Sequence, residues 1–349
     1  MTAAHDLRDI GRGGSAVSPF GLGTMTFGAE TTEQDARAQL DLYVERGGTL
    51  VDTADVYADG ESERIVGRWL RDRRDQPSPV IATKGRFRPP AGSYGASRRA
   101  LVTAVDGSLT RLGVEALDLY YVHAWDRHTP LEETLDTLSG LVRQGKIHSL
   151  GWSNLTGWQL QKVLSTARLG GHVVPVALQP QYNLLDRSVE WEVLPCALEE
   201  GLGVLPWSPL GGGWLAGKYA RDQRPTGATR LGEDPGRGVE AYDVRNTDRT
   251  WRILDVVAEL AARLDRPMAH VALAWLRDRP GVASVLLGAR TVEQLRSNLD
   301  AADLVLDAAD TAALTAVSAP GLPAYPYALL EDMGEVDHWK RLGVGSGGA

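Results

Sequence analysis

The constraint that bears hardest on this chain is an alternation. Eight short runs rich in apolar and β-branched residues recur along it: GLGTMTFG (21–28), TLVDTA (49–54), VIATKG (80–85), LDLYYVH (117–123), IHSLGWSN (147–154), VALQPQYN (176–183), GVLPWSP (203–209) and ASVLLGA (283–289). Between them lie longer stretches with helical spacing of apolar residues, such as TTEQDARAQLDLYVERGG, which has Thr and acidic residues at its start and a Gly pair at its stop. Strand, helix and strand joined by short links mean parallel strands connected by crossovers. Eight such units close a barrel, so the expected fold is α/β, a single (β/α)8 barrel of the TIM type. The competing fold is an open doubly wound sheet, which would carry Gly-x-Gly-x-x-Gly/Ala after its first strand to hold a dinucleotide. Two stretches have that spacing. Gly11 to Ala16 precedes no helix start, and Gly211 to Ala216 follows a strand but lies late in the chain before a polar loop. Neither makes that unit, and the barrel is preferred.

One domain is expected over residues 1–349, with a short hairpin at 5–19 at the N-terminal end of the barrel. A long Gly/Pro/Arg-rich loop follows strand seven at 218–248, and 343–349 is a disordered tail. Loops of that length inside a compact domain are usually functional or disordered. The net charge of −8, without blocks of like charge, argues against a nucleic-acid groove and an anionic membrane surface. The N-terminus has no apolar targeting core, and no apolar run approaches a membrane span. The lone Cys196 can form no intrachain disulfide. A reducing, cytoplasmic setting is expected, with a homo-oligomer left open. No Cys/His cluster or H-E-x-x-H is present, so no metal is expected.

Barrel enzymes place their chemistry at the C-terminal ends of strands. The polar residues at those ends are Asp52, with Tyr57 five residues on, then Lys84, His123, Ser153 with Asn154, Gln179, and Trp207 with Ser208. Asp, Tyr, Lys and His at one mouth suggest proton delivery to a carbonyl. A free Tyr titrates near about 10, and a neighbouring ammonium lowers that value toward the proton affinity of a developing alkoxide. Asp52 would compensate a buried Lys84, and His123 could orient the carbonyl oxygen. Singly, each has an ordinary alternative: a helix-capping Asp, a solvated strand-end Lys, a structural His. Four at matched strand ends are harder to explain that way.

The chain resembles the aldo-keto reductase family, from Gly21 to about Asp300. D-T-A-x-x-Y stands as Asp52 to Tyr57, the Lys strand end as Ala82-Thr83-Lys84, and D-L-Y-x-x-H as Asp118 to His123; Gly21-Leu22-Gly23-Thr24-Met25 also matches. The subgroup is similar to bacterial relatives of potassium-channel β-subunits. The resemblance implies a catalytic tetrad of Asp52, Tyr57, Lys84 and His123, with NADPH across the barrel mouth. It implies contacts from Gly23, Thr24 and Met25, and a carboxamide seat of Ser153, Asn154 and Gln179. Trp207 would stack on the nicotinamide. Ser208, Leu210, Gly212 and Lys218 would run along the pyrophosphate, with Arg230 reaching the phosphates. Gly288, Arg290, Gln294 and Asn298 would hold the adenosine end, Arg290 pairing with the 2′-phosphate because guanidinium matches phosphate geometry. Ser297 stands where many members have Glu, which bears on adenine contacts. The substrate wall is expected to include Phe27, Trp125 and Trp214, together with the loops 86–95, 124–129 and 218–248. The implied activity is NADPH-dependent reduction of an aldehyde or ketone, on a small-molecule carbonyl such as a secondary-metabolite or sugar ketone. The alternatives are a sugar enone reductase and an NADP(H)-sensing regulatory subunit.

Overall fold

A computed structural model describes residues 6–88, 90–227, 229–234, 236, 238–333 and 342. An antiparallel hairpin comes first, β1 (Arg8–Asp9) and β2 (Ala16–Val17), with Arg8 opposite Val17. Its Ile10 and Val17 pack against Leu50, Ala82, Leu119, Ala177, Leu205 and Leu286 and stopper the N-terminal end of the barrel. Gly11 permits the approach: at φ +70° its position is left-handed, and a Cβ there would lie 2.1 Å from the Val176 carbonyl oxygen.

Eight parallel strands follow: β3 (Phe20–Gly23), β4 (Leu50–Asp52), β5 (Val80–Gly85), β6 (Leu117–Val122), β7 (Ile147–Ser153), β8 (Ala177–Gln179), β9 (Gly203–Val204) and β10 (Val285–Leu287). They neighbour one another in chain order, with β10 beside β3. Closure comes from the stretch before β10 and from β10 itself. Val204 bridges Val282, Ala283 N donates to Val204 O at 2.9 Å, and Leu286 N donates to Pro206 O at 3.0 Å. All eight expected runs hold a strand. The run at 203–209 keeps only two residues in the ladder, because Pro206 has no N–H to give.

Six helices alternate with the first strands: α1 (Glu33–Glu45), α2 (Glu61–Asp72), α3 (Arg98–Leu112), α4 (Leu131–Arg143), α5 (Gly157–Leu169) and α6 (Val193–Glu200). Short turns α7 (Arg230–Glu233) and α8 (Tyr242–Arg245) then lead to α9 (Asp248–Arg263) and α10 (Met268–Arg277) before β10, with α11 (Val292–Asp300) and α12 (Ala308–Val317) after it. The capping oxygens of Thr32, Thr247, Thr291 and Asp307 each accept a first-turn N–H, at α1, α9, α11 and α12. Each such cap is worth about 1 kcal/mol. The expected loop 218–248 is thus interrupted by helical turns. The expected tail 343–349 lies outside the described residues.

The two-residue period of a strand positions the site. On β4, β5, β6 and β8 the residues facing the barrel axis include Leu50, Ala82, Leu119, Tyr121 and Ala177, which form one apolar layer with the hairpin. Two residues on from Leu50, Ala82, Tyr121 and Ala177 the same faces carry Asp52, Lys84, His123 and Gln179. The interior therefore changes from apolar to charged within one strand repeat.

Candidate active site

Lys84 is fully buried and lies at the centre of the charged layer. Its ammonium donates to Asp52 Oδ1 at 2.5 Å, to the Thr53 carbonyl oxygen at 2.8 Å and to the Tyr57 hydroxyl at 3.4 Å. These use all three of its N–H bonds. The second Asp52 oxygen accepts from Gln179 Nε2 at 2.9 Å. The His123 ring stands edge-on to Tyr57, centroids 6.2 Å apart. The structure thus brings the four sequence-predicted residues together. Ala58 and Asp59, which follow Tyr57, both have left-handed backbone, at φ +44° and +62°. Strain of this kind in non-glycine residues collects at functional sites.

Burial works against the Lys84 ammonium, but the combined pull of Asp52 and Tyr57 outweighs it and holds the pKa above the usual lysine value. Burial pushes the Tyr57 phenol up and Lys84 pulls it down, and burial wins although the residue is partly exposed. This corrects the expectation that the ammonium sets a lowered phenol pKa in the free protein: desolvation of the phenolate exceeds the stabilisation from one neighbouring charge already shared with Asp52. For His123, burial followed by the charges of Lys84 and Arg86 lowers the pKa to about 3, so the imidazole is neutral at ordinary pH.

Beside the tetrad, Ser153 Oγ donates to Gln179 O at 2.7 Å, Asn154 Nδ2 to His123 O at 2.9 Å, and Trp207 Nε1 to Asn154 Oδ1 at 3.1 Å. Gln179, expected at a carboxamide, also braces Asp52. Gly23 pairs with Asp52 across the sheet, and Met25 is half-buried. Thr24 is fully buried, its hydroxyl spent on Asp52 O and Ser62. Asn154 and Ser208 both adopt positive φ, +56° and +52°.

Farther along the rim, Leu210 is half-buried and the backbone turns through Gly212 at φ +67°. Lys218, exposed as a residue, has a pKa below the usual lysine value through desolvation and the nearby Arg290 charge. Arg230 and Arg290 both lie close enough to act electrostatically on the adjacent Tyr219. Gly288 is an open ledge with nothing within 4 Å of where a Cβ would stand. Gln294 Oε1 accepts from Arg290 N at 3.0 Å, and Asn298 is buried. Ser297, in the place of the usual Glu, lies 3.3 Å from His270 Nε2. Cations, hydroxyl and open glycine backbone suit a phosphorylated dinucleotide: Arg230, Lys218 and Ser208 have the chemistry for its diphosphate and Arg290 for a terminal phosphate.

The substrate wall differs from expectation. Phe27 and Trp214 are fully buried, Trp214 within an aromatic group of Tyr219, Tyr242 and Trp251. Buried rings present no face to a substrate, so neither belongs to the wall. Trp125 remains, half-buried, with its ring edge-on to the exposed Trp158 at 5.5 Å. Phe87, also exposed, stands 4.6 Å from the His123 ring.

A family model described as "Aldo/keto reductase family" matches residues 19–319. The chain belongs to the aldo/keto reductase family. A Bacillus subtilis protein named "Uncharacterized oxidoreductase YrpG" is 34% identical, covering 85% of this chain and 91% of its own. A rice protein named "Probable voltage-gated potassium channel subunit beta" is 33% identical with the same coverage. A Phanerodontia chrysosporium protein named "Aryl-alcohol dehydrogenase [NADP(+)]" is 31% identical, covering 91% of this chain and 87% of its own. This aldo/keto reductase is therefore an oxidoreductase of carbonyl compounds that uses a nicotinamide cofactor. No helix among the described residues is long and apolar enough to cross a membrane, and no three His, Cys, Asp or Glu side chains among them gather as a metal site.

Strand-end reading missed several residues that the reductase places at the mouth. Phe87, three residues past Lys84, falls within the expected wall loop 86–95 without being singled out there. Thr53 acts through its backbone oxygen, for which no side-chain signal exists. Glu233 and Glu240 sit in a polar loop whose composition does not separate them from solvated acids.

Proposed function

We propose that this reductase converts an aldehyde or ketone to an alcohol with NADPH, Tyr57 giving the proton to the carbonyl oxygen. The observation that carries the reading is the Lys84 ammonium held between Asp52 and the Tyr57 hydroxyl in a buried layer. The chemistry a bound NADPH supplies is hydride donation to the carbonyl carbon. The protein's part is the proton and the positioning. A carbonyl oxygen seated beside Tyr57 accepts from its hydroxyl, and neutral His123 adds a hydrogen bond without adding charge. As the phenolic proton leaves, the phenolate gains the Lys84 ammonium at hydrogen-bond distance, and Asp52 keeps that ammonium charged. The burial that raises the phenol pKa in the free protein thus makes Tyr57 a reluctant acid at rest, and the developing alkoxide supplies the driving force.

The choice of NADPH is supported by the chemistry of Arg290 and by its closeness to Lys218, with Arg230 also acting on the adjacent Tyr219. For the substrate, Phe87, Trp125 and Trp158 favour a carbonyl on a flat apolar body, in line with the aryl-alcohol dehydrogenase among the relatives. Oxidation of NADPH, followed by absorbance with aryl aldehydes, aliphatic aldehydes, ketones and keto-sugars, tests the reading. Turnover is expected with aryl aldehydes first. Tight NADPH binding without turnover of any carbonyl would overturn it.

A further inference from the structure

Two of the three rim cations already hold carboxylates, both from the stretch 230–240 of the loop after β9. Glu240 is almost fully buried, and one of its oxygens accepts from the Ser208 hydroxyl. The other lies 3.3 Å from Arg230 Nε. A Cβ on Gly212 would stand 2.6 Å from that same oxygen, so the carboxylate fills the concavity over the glycine turn. Trp214 Nε1 donates to Glu240 O at 3.0 Å and fixes the backbone beneath it. Glu233, exposed, accepts from Arg290 Nη2 at 2.7 Å, with Glu30 farther off at 3.7 Å. Lys218 pairs with no carboxylate among the described residues.

Ser208, Gly212, Arg230 and Lys218 are the groups suited to a diphosphate, and Arg290 is the group suited to a terminal phosphate. Each set is met in the free protein by one loop carboxylate. We infer that Glu240 and Glu233 stand in for the cofactor's diphosphate and 2′-phosphate and lower affinity for each, so that Glu240 sets affinity for either nicotinamide cofactor and Glu233 sets selectivity between them. The inference rests on the proposed NADPH reading. A carboxylate and a phosphate cannot share one guanidinium face at full strength, so cofactor entry must break both pairs. The two contributions differ in kind. Glu240 opposes the diphosphate that NADPH and NADH share, whereas Glu233 opposes only the phosphate that NADH lacks.

Equilibrium titration of the purified protein with NADPH and with NADH, followed by cofactor fluorescence, tests this. Glu233→Gln is expected to tighten NADPH about threefold, the size of an exposed ion pair, and to leave NADH unchanged. Glu240→Gln keeps a hydrogen-bonding side chain but removes the charge, and is expected to tighten both cofactors by the same factor, about tenfold. Weaker cofactor binding in either variant would mean that the loop carboxylates clasp the cofactor, and would overturn the inference. Unchanged binding would overturn it also. Arg290→Ala serves as the control: weaker NADPH with unchanged NADH upholds the reading beneath the inference, and equal effects on both would sink that reading and, with it, the role of Glu233. Glu233 is exposed and its variant carries no folding risk, so the test survives a poorly folding Glu240 variant.

Discussion

At one end of the barrel mouth Lys84 is wholly buried and spends its N–H bonds on Asp52, Thr53 and Tyr57. At the other end Lys218 is exposed, while Arg230 and Arg290 rest on carboxylates of a surface loop. The first end is built from strand termini whose side-chain directions are set by backbone pairing and whose polar atoms are largely satisfied within the protein. The second is built from turns and loop side chains, and two of its cations lie against carboxylates of the same loop. Proton transfer needs donor and acceptor held to a fraction of an ångström, which strands provide. Binding a long charged cofactor needs a rim that can open, which loops provide.

If the two ends are separate in function, Tyr57→Phe should lower kcat/KM for any carbonyl by about 10³-fold, in the range typical of a lost general acid, with an unchanged Kd for NADPH. Fluorescence titration beside initial rates measures both. Loss of cofactor affinity in parallel with rate would break the comparison, because the phenol would then serve both ends.

The two ends also differed in how far the amino-acid sequence disclosed them. Asp52, Lys84, His123 and Gln179 could be located because the strand period leaves one inward polar residue just past each apolar run, and a charge in that position has few structural excuses. The eight runs likewise marked every barrel strand, since burial on both faces demands apolar continuity. At the rim the same approach failed for physical reasons. Glu240 and Glu233 are acids in a Gly- and Arg-rich loop, and no periodicity distinguishes a seated carboxylate from a solvated one. Phe27 and Trp214 were misplaced because an aromatic near a strand end suits either the core or a substrate wall, and only packing decides. The Tyr57 proton affinity was misjudged because sequence names the neighbouring charge but not the degree of desolvation.

Removing one partner of the Lys84–Asp52 pair leaves the other charge buried and uncompensated. Lys84→Met is expected to cost about 3–5 kcal/mol of unfolding free energy in urea, and Asp52→Asn in the same chain should restore part of it. Glu233→Gln, at the loop end, should change stability by less than about 0.5 kcal/mol. A Lys84→Met protein as stable as wild type would mean that the charged layer is not the rigid base it is taken to be.

A finer test lies two residues before Tyr57 in the chain. Asp55 is buried, and burial, then repulsion from Glu63, raises its pKa from 3.8 to about 6, against the pull of Arg111 and Arg88. Its Oδ1 and the buried Tyr120 hydroxyl have no hydrogen-bond partner among the described residues. Folded Asp55 therefore keeps a proton that the unfolded chain releases between pH 4 and 6. Its contribution to stability is fully present below about pH 4 and lost as pH rises through about 6, by about 3 kcal/mol at most. His123, neutral when folded down to about pH 3, acts with the opposite sign: the unfolded chain binds its proton first, so stability from this group is lost as pH falls below about 6.5. The wild-type curve mixes the two, and Asp55→Asn separates them. Between pH 4 and 7 the stability of the variant minus that of wild type should rise with pH and level off above about 6. A flat difference would show that Asp55 titrates normally, and would return Asp55 to the adaptable side of the comparison.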